Sequence, residues 1–148
     1  MKKKIAILGS TGSIGKSLLN IISRDQKNFQ IVLLTANKNY KLLLKQAKIY
    51  NVKNIIISKK NYFEKAKLAN NNKKLNIINN FENLRKIFPK KIDYTMSAIV
   101  GIEGLLPTIK IIKFTKKIAI ASKEPIICAW NLIKNELEKN KTEFIPVD

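Results

Sequence analysis

Short, wholly apolar runs alternate along this chain with segments whose apolar residues recur every three or four positions. KIAIL (4–8) is the first such run, and after the loop GSTGSIG (9–15) the residues Ile14, Leu18, Leu19 and Ile22 recur at helical spacing up to Arg24. Strand, loop and helix are predicted in that order. FQIVLLTA (29–36) predicts a second strand, YKLLLKQAKIY (40–50) a helix and VKNIIIS (52–58) a third strand. A helix near 60–69 and the polar break NNNKK follow, then short strands at 76–79 and 92–97, and helices near 82–88 and 103–113. KIAIAS (117–122) is the next strand, 124–139 a long helix containing Trp130, Leu132, Ile133 and Leu137, and EFIPV (143–147) a closing strand. Strands that alternate with helices require parallel crossovers. The expected fold class is therefore α/β, a doubly wound, mostly parallel sheet with helices on both faces.

Length and composition narrow this only a little. A chain of 148 residues with 45% apolar and 26% charged residues suits one globular domain with a substantial core. No Pro- or Gly-rich linker and no internal repeat divides it. No apolar run approaches the length of a membrane span, the basic start at Lys2–Lys4 leads into too short an apolar stretch for a secretion signal, and a single cysteine excludes an intrachain disulfide. These features point to the cytoplasm. Cys128, in an apolar helical context with no base paired to it, reads as a buried thiol, and Trp130 as core.

Charge changes the picture more by its kind than by its size. Lys and Arg number 29 against 10 Asp and Glu, a net charge of +19, but only Arg24 and Arg85 are arginine. Nucleic-acid readers use arginine forks and stacking aromatics, so dispersed lysines read as a solvated surface that favours small polyanions such as nucleotides and sugar phosphates. Histidine is absent, which removes imidazole acid-base chemistry, His-ligated zinc and Ser-His-Asp triads together.

The glycine loop carries the first chemistry. Placed between a strand and a helix, it offers unpaired N–H groups and a positive helix end to a phosphate. Gly12 lets the backbone approach a pyrophosphate, Gly15 allows close helix-to-strand packing, and Thr11 and Ser13 add hydroxyl donors. The spacing G-x-x-G-x-x-G departs from G-x-G-x-x-G and is weak alone; its position makes it a Rossmann-like dinucleotide loop. The second strand ends TANKN (35–39) without a carboxylate, so Lys38 can meet a 2′-phosphate, Asn37 and Asn39 can donate hydrogen bonds, and NADP is favoured over NAD. Glu103 reads as an exposed carboxylate at a helix start.

Taken together, GSTGSIG (9–15), ANKN (36–39), SAIVGIEGLLPT (97–108), ASKEP (121–125) and PVD (146–148) resemble the N-terminal part of the 1-deoxy-D-xylulose 5-phosphate reductoisomerase family. The resemblance implies an NADPH- and divalent-metal-dependent rearrangement and reduction of 1-deoxy-D-xylulose 5-phosphate to 2-C-methyl-D-erythritol 4-phosphate, in non-mevalonate isoprenoid biosynthesis. It implies that Thr11, Gly12, Ser13 and Ile14 contact the cofactor phosphates, and Asn37, Lys38 and Asn39 the adenosine ribose and its phosphate. Ser122 and Glu124 would lie on the cofactor side of the crevice, Lys123 at the substrate, and Asp148 would bind Mg²⁺ or Mn²⁺. The chain departs from the family in having Asn37 where Gly is common, Ser122 where Asn is common and Pro125 where Ser is common.

Residues 1–148 are thus expected to form an NADPH-binding Rossmann-like domain ending at the first metal-ligand position, with the catalytic, lid and C-terminal parts absent and no turnover alone. The expected partners are a sugar phosphate substrate and, at full length, a second copy in a homodimer, with no nucleic acid and no membrane. A semialdehyde dehydrogenase is disfavoured, since its chemistry needs a catalytic cysteine and usually a histidine. A non-catalytic nucleotide- or nucleic-acid-binding module remains the alternative.

Overall fold

The computed structural model describes residues 1–147. Its strands are β1 (Lys3–Leu8), β2 (Phe29–Ala36), β3 (Asn54–Ile57), β4 (Asn76–Ile78), β5 (Ile92–Ser97), β6 (Thr115–Ile120) and β7 (Glu143–Pro146). Between them run α1 (Ser13–Ser23), α2 (Tyr40–Ile49), α3 (Lys60–Ala69), α4 (Leu84–Ile87), α5 (Leu105–Ile112) and α6 (Lys123–Asn140), with a 3-10 turn at Ile102–Gly104 leading into α5. One seven-stranded sheet has the order β4-β3-β2-β1-β5-β6-β7, and every neighbouring pair is parallel. The chain therefore works outward from β1 to β4 on one side, then returns to the centre and works outward to β7 on the other. The α/β doubly wound expectation holds, with an all-parallel sheet.

Strand periodicity explains how both faces are covered. In β1, Ile5 and Ile7 join the core beneath α1, α2 and α3, while Ala6 and Leu8 join the core beneath α4, α5 and α6. Ile55 and Ile57 against Ile56, and Ala119 against Ile118 and Ile120, divide the same way. A strand buried on both faces has no polar positions to spare, which is why these runs are continuously apolar. In β2 the alternation is broken: Ile5 pairs with Ile31 but Ala6 with Leu33, so an irregularity at Val32 puts Leu33 and Leu34 on opposite faces from those a regular strand would give.

The outer end of β5 is tied to β1 by charge. Lys4 N–H donates to Asp93 Oδ2 at 2.8 Å, and Lys116 Nζ lies 3.4 Å from Oδ1. The Lys4 N–H is the main cause holding the Asp93 carboxyl below its ordinary value, with Lys116 adding to it. A carboxyl depressed on folding stabilises above its unfolded value, near about pH 4, and loses that contribution as pH falls through the lower folded value. Urea unfolding of Asp93→Asn should therefore match the parent near pH ~2 and fall below it near pH ~6.

Helix α6 corrects two expectations. Ala129 has non-helical angles (φ −145°, ψ 38°), so the helix kinks there. Pro125 faces the core before the kink, and Ile133 and Leu137 after it. The apolar residues at the kink lose their place on the inward stripe. Cys128, expected to be buried, is exposed, and Trp130, expected in the core, is 37% exposed with its ring packed 5.4 Å from that of Phe144. Pro125 sits in the first turn, where its missing N–H costs no helical hydrogen bond.

Candidate functional site: the cleft at the strand ends

The strand order reverses between β1 and β5, and the loops that leave these strands diverge. A cleft of about 580 Å³ opens there, lined from Gly9, Thr11 and Gly12 after β1, through Thr35 to Asn37 and Ser58 to Lys59 after β2 and β3, to Ala98, Ile99 and Glu103 after β5. Lys110 and Glu82, joined as an ion pair, stand on its far wall.

The glycine loop is shaped by what lies around it. Gly9 has φ +81°, and a Cβ there would lie 2.7 Å from the Ala98 carbonyl oxygen. A Cβ on Gly15 would lie 2.5 Å from both Gly9 O and Ser10 Cα. Backbone requires glycine at both positions. Gly12 differs: its φ is −81°, and a Cβ there would meet nothing nearer than Gly9 O at 3.6 Å. It is the N-cap of α1, which has no capping side chain and no acidic residue in its first turn. The bare end of α1 faces the cleft with its N–H groups and positive dipole unopposed.

Buried polar groups hold the loop in place. Gly9 N–H donates to Thr35 Oγ1 at 3.0 Å, and Ser10 N–H to Thr35 O at 2.9 Å. The Ser10 hydroxyl donates to Gln46 Oε1 at 2.8 Å, and Gln46 Nε2 returns a hydrogen bond to Ser10 O at 3.0 Å. Ser10, Thr35 and Gln46 are all buried. The sequence reading missed Thr35 and Gln46 as loop supports. A signal existed for Gln46, since it shares the buried stripe of α2 with Leu43 and Ala47 at helical spacing.

The other expected site residues are distributed as follows. Thr11, Gly12 and Asn37 line the cleft; Ser13 and Ile14 begin α1 beside it and are exposed. Lys38 and Asn39 are exposed just past β2, and Asn39 Oδ1 caps α2 by accepting from Leu42 N–H at 3.3 Å. Ser122, Lys123 and Glu124 follow β6 at the start of α6, on the same edge of the sheet but outside the cleft lining. The Ser122 hydroxyl donates to Glu124 Oε2 at 2.6 Å and, with the backbone N–H of Glu124 itself, holds that carboxyl below its ordinary value. Asp148 lies outside the described residues. Lys59, which lines the cleft after β3, was not foreseen. Glu103, expected only as an exposed carboxylate, accepts from Asn37 Nδ2 at 3.4 Å.

Fold and loop together define a Rossmann-type domain, the class that holds dinucleotides across the crevice where the strand order reverses. The family model of 1-deoxy-D-xylulose 5-phosphate reductoisomerase matches residues 5–130. The chain belongs to that family. It is 62% identical over 148 residues to the 1-deoxy-D-xylulose 5-phosphate reductoisomerase of Pelagibacter ubique, covering 99% of this chain and 38% of that protein. Among solved structures, the reductoisomerase of Zymomonas mobilis in complex with NADPH superposes with a TM-score of 0.90 at 32% identity, covering 100% of this chain and 39% of that one. A reductoisomerase in complex with NADPH, fosmidomycin and magnesium gives a TM-score of 0.85 at 31% identity, over 97% and 36% of the two chains. The chain thus spans 38% of the length of the first curated relative it matches.

No helix among the described residues is long and apolar enough to cross a membrane. Nor do three Asp, Glu, His or Cys side chains gather anywhere among them to hold a metal ion.

Proposed function

We propose that this chain is the NADPH-binding part of a 1-deoxy-D-xylulose 5-phosphate reductoisomerase. Gly12 carries the proposal. Among the described residues neither a neighbouring atom nor the backbone angles demand a glycine at this position, yet it stands at the uncapped end of α1 and lines the cleft. Glycine suits the N-cap modestly, and it also permits the close approach of a diphosphate to the backbone. The N–H groups of Ser13 and Ile14 and the hydroxyls of Thr11 and Ser13 complete that cradle.

Bound there, NADPH supplies the hydride of the reduction. The chain's own residues bind and orient it. Lys38, on the exposed turn after β2, receives the 2′-phosphate; Asn37 and Asn39 reach the ribose. Ser122 and Glu124 lie on the cofactor side of the crevice, the serine hydroxyl hydrogen-bonded to the glutamate carboxylate, and Lys123 holds substrate oxygens. The net charge of +19 draws dinucleotide and sugar phosphate toward the cleft. A divalent metal needs several oxygen ligands, and no three Asp, Glu, His or Cys side chains cluster among the described residues; Asp148, which the family resemblance makes a metal ligand, lies outside them. We therefore assign to these residues the binding of NADPH. A homodimer and a cytoplasmic location complete the proposal, on the strength of the family alone.

Calorimetric titration with NADPH and NADH at two salt concentrations tests it. NADPH should bind the more tightly, and Lys38→Ala should weaken it about tenfold while leaving NADH nearly unchanged, the loss expected for one charge-assisted phosphate contact. A folded chain that binds neither dinucleotide would refute the proposal, and steeply salt-dependent binding of polynucleotide in their place would favour the nucleic-acid module.

A further inference from the structure

The adenosine end of the cleft holds a carboxylate that β2 does not supply. Strand β2 runs out through Asn37, Lys38 and Asn39 without an acid, but Glu103 comes from the far side of the switch point and accepts from Asn37 Nδ2. Both residues line the cleft.

Glu103 is carried on a hydrogen-bonded turn. Its 3-10 turn opens at Gly101, which has φ +84°, and closes with Gly104 N–H donating to Gly101 O at 3.2 Å. A Cβ on Gly104 would stand 2.9 Å from Ile99 O, so the turn lies hard against the chain leaving β5. Below it the buried Thr108 hydroxyl donates to Gly104 O at 2.6 Å and pairs with Ser97 Oγ, also at 2.6 Å. None of the ion pairs among the described residues includes Glu103. A carboxylate in no ion pair among the described residues therefore stands next to the residue that follows β2.

Chemistry gives that placement a direction. In this class of domain a carboxylate at the end of the second strand accepts hydrogen bonds from the ribose 2′-hydroxyl, whereas it repels a 2′-phosphate. Lys38 acts in the opposite sense. We propose that Glu103, held by Asn37, is a specificity-determining residue that favours the unphosphorylated ribose and so limits the preference for NADPH over NADH that Lys38 creates. This rests on the dinucleotide reading of the cleft.

The test is calorimetry on this chain and on Glu103→Gln, which keeps an oxygen for Asn37 to donate to while removing the charge. The ratio of NADPH to NADH affinity should rise about tenfold in the variant, chiefly through tighter NADPH binding, and the gain should shrink in high salt. Adenosine 2′,5′-bisphosphate and 5′-AMP should show the same change in ratio, because they occupy only the adenosine end. An unchanged or lowered ratio overturns the inference, as does equal tightening of both ligands, which would mean general relief of charge. If the folded parent binds neither dinucleotide, the reading of the cleft fails first and takes the inference with it.

Discussion

Gly12→Ala should melt within about 2 °C of the parent protein and yet bind NADPH roughly ten- to hundredfold more weakly. The angles at Gly12 suit alanine, and the added methyl group would find its nearest neighbour 3.6 Å away. Alanine is a poorer N-cap than glycine, but it also restricts the unfolded chain, and the two effects, each below about 1 kcal/mol, oppose one another. Only a ligand lying against the loop would meet the methyl group. Gly15→Ala behaves in the opposite way. Alanine inside a helix should stabilise by about 1 kcal/mol, but here its methyl would lie 2.5 Å from the backbone of Gly9 and Ser10, and separating α1 from the loop costs about 1–3 kcal/mol. Its Tm should fall by several degrees, and binding should fall with it. Thermal unfolding and calorimetry on the two variants separate the roles. If Gly12→Ala bound NADPH like the parent, the diphosphate would lie elsewhere.

The same contrast shows what could be read from the chain and what could not. The second strand at 29–36 and the third helix at 60–69 fall where the apolar pattern places them, because a strand buried on both faces reads as a short apolar run and a helix as apolar residues three or four positions apart. The irregularity at Val32 leaves no mark, since IVLL (31–34) is apolar throughout and its pattern does not say which residue faces which helix layer. At the α6 kink Cys128 and Trp130 read as core, but in a helix that breaks at Ala129 both lie off the buried stripe of Pro125, Ile133 and Leu137. In the cleft, the loop and the turn after β2 were legible because each is contiguous in sequence. The meeting of Asn37 with Glu103 spans 66 positions and exists only once the strand order reverses. Pairings of that kind are set by topology, and no local pattern encodes them.

Gln46 shows a long-range pairing on which both stability and binding depend. Gln46→Leu keeps the volume of the side chain and removes both of its hydrogen bonds to Ser10, which lies 36 positions away. The Ser10 hydroxyl has a second acceptor, Thr35 O at 3.4 Å, and can turn to it. The Ser10 carbonyl loses the partner that Gln46 supplied and is buried with its residue. An orphaned buried carbonyl costs about 1–3 kcal/mol, so Tm should fall by roughly 3–10 °C. Ser10→Ala combined with Gln46→Leu should cost less than the sum of the single changes, since once either partner is lost their mutual hydrogen bond cannot be lost again. Binding follows because the loop would keep only its Thr35 attachments: Gly9 and Ser10 could shift, and the end of α1 with them. NADPH affinity should therefore drop in Gln46→Leu together with Tm, whereas Gly12→Ala loses affinity alone. If Gln46→Leu lost stability but bound NADPH as the parent does, the Ser10–Gln46 pair would support only the fold, and Thr35 would suffice to hold the loop for its ligand.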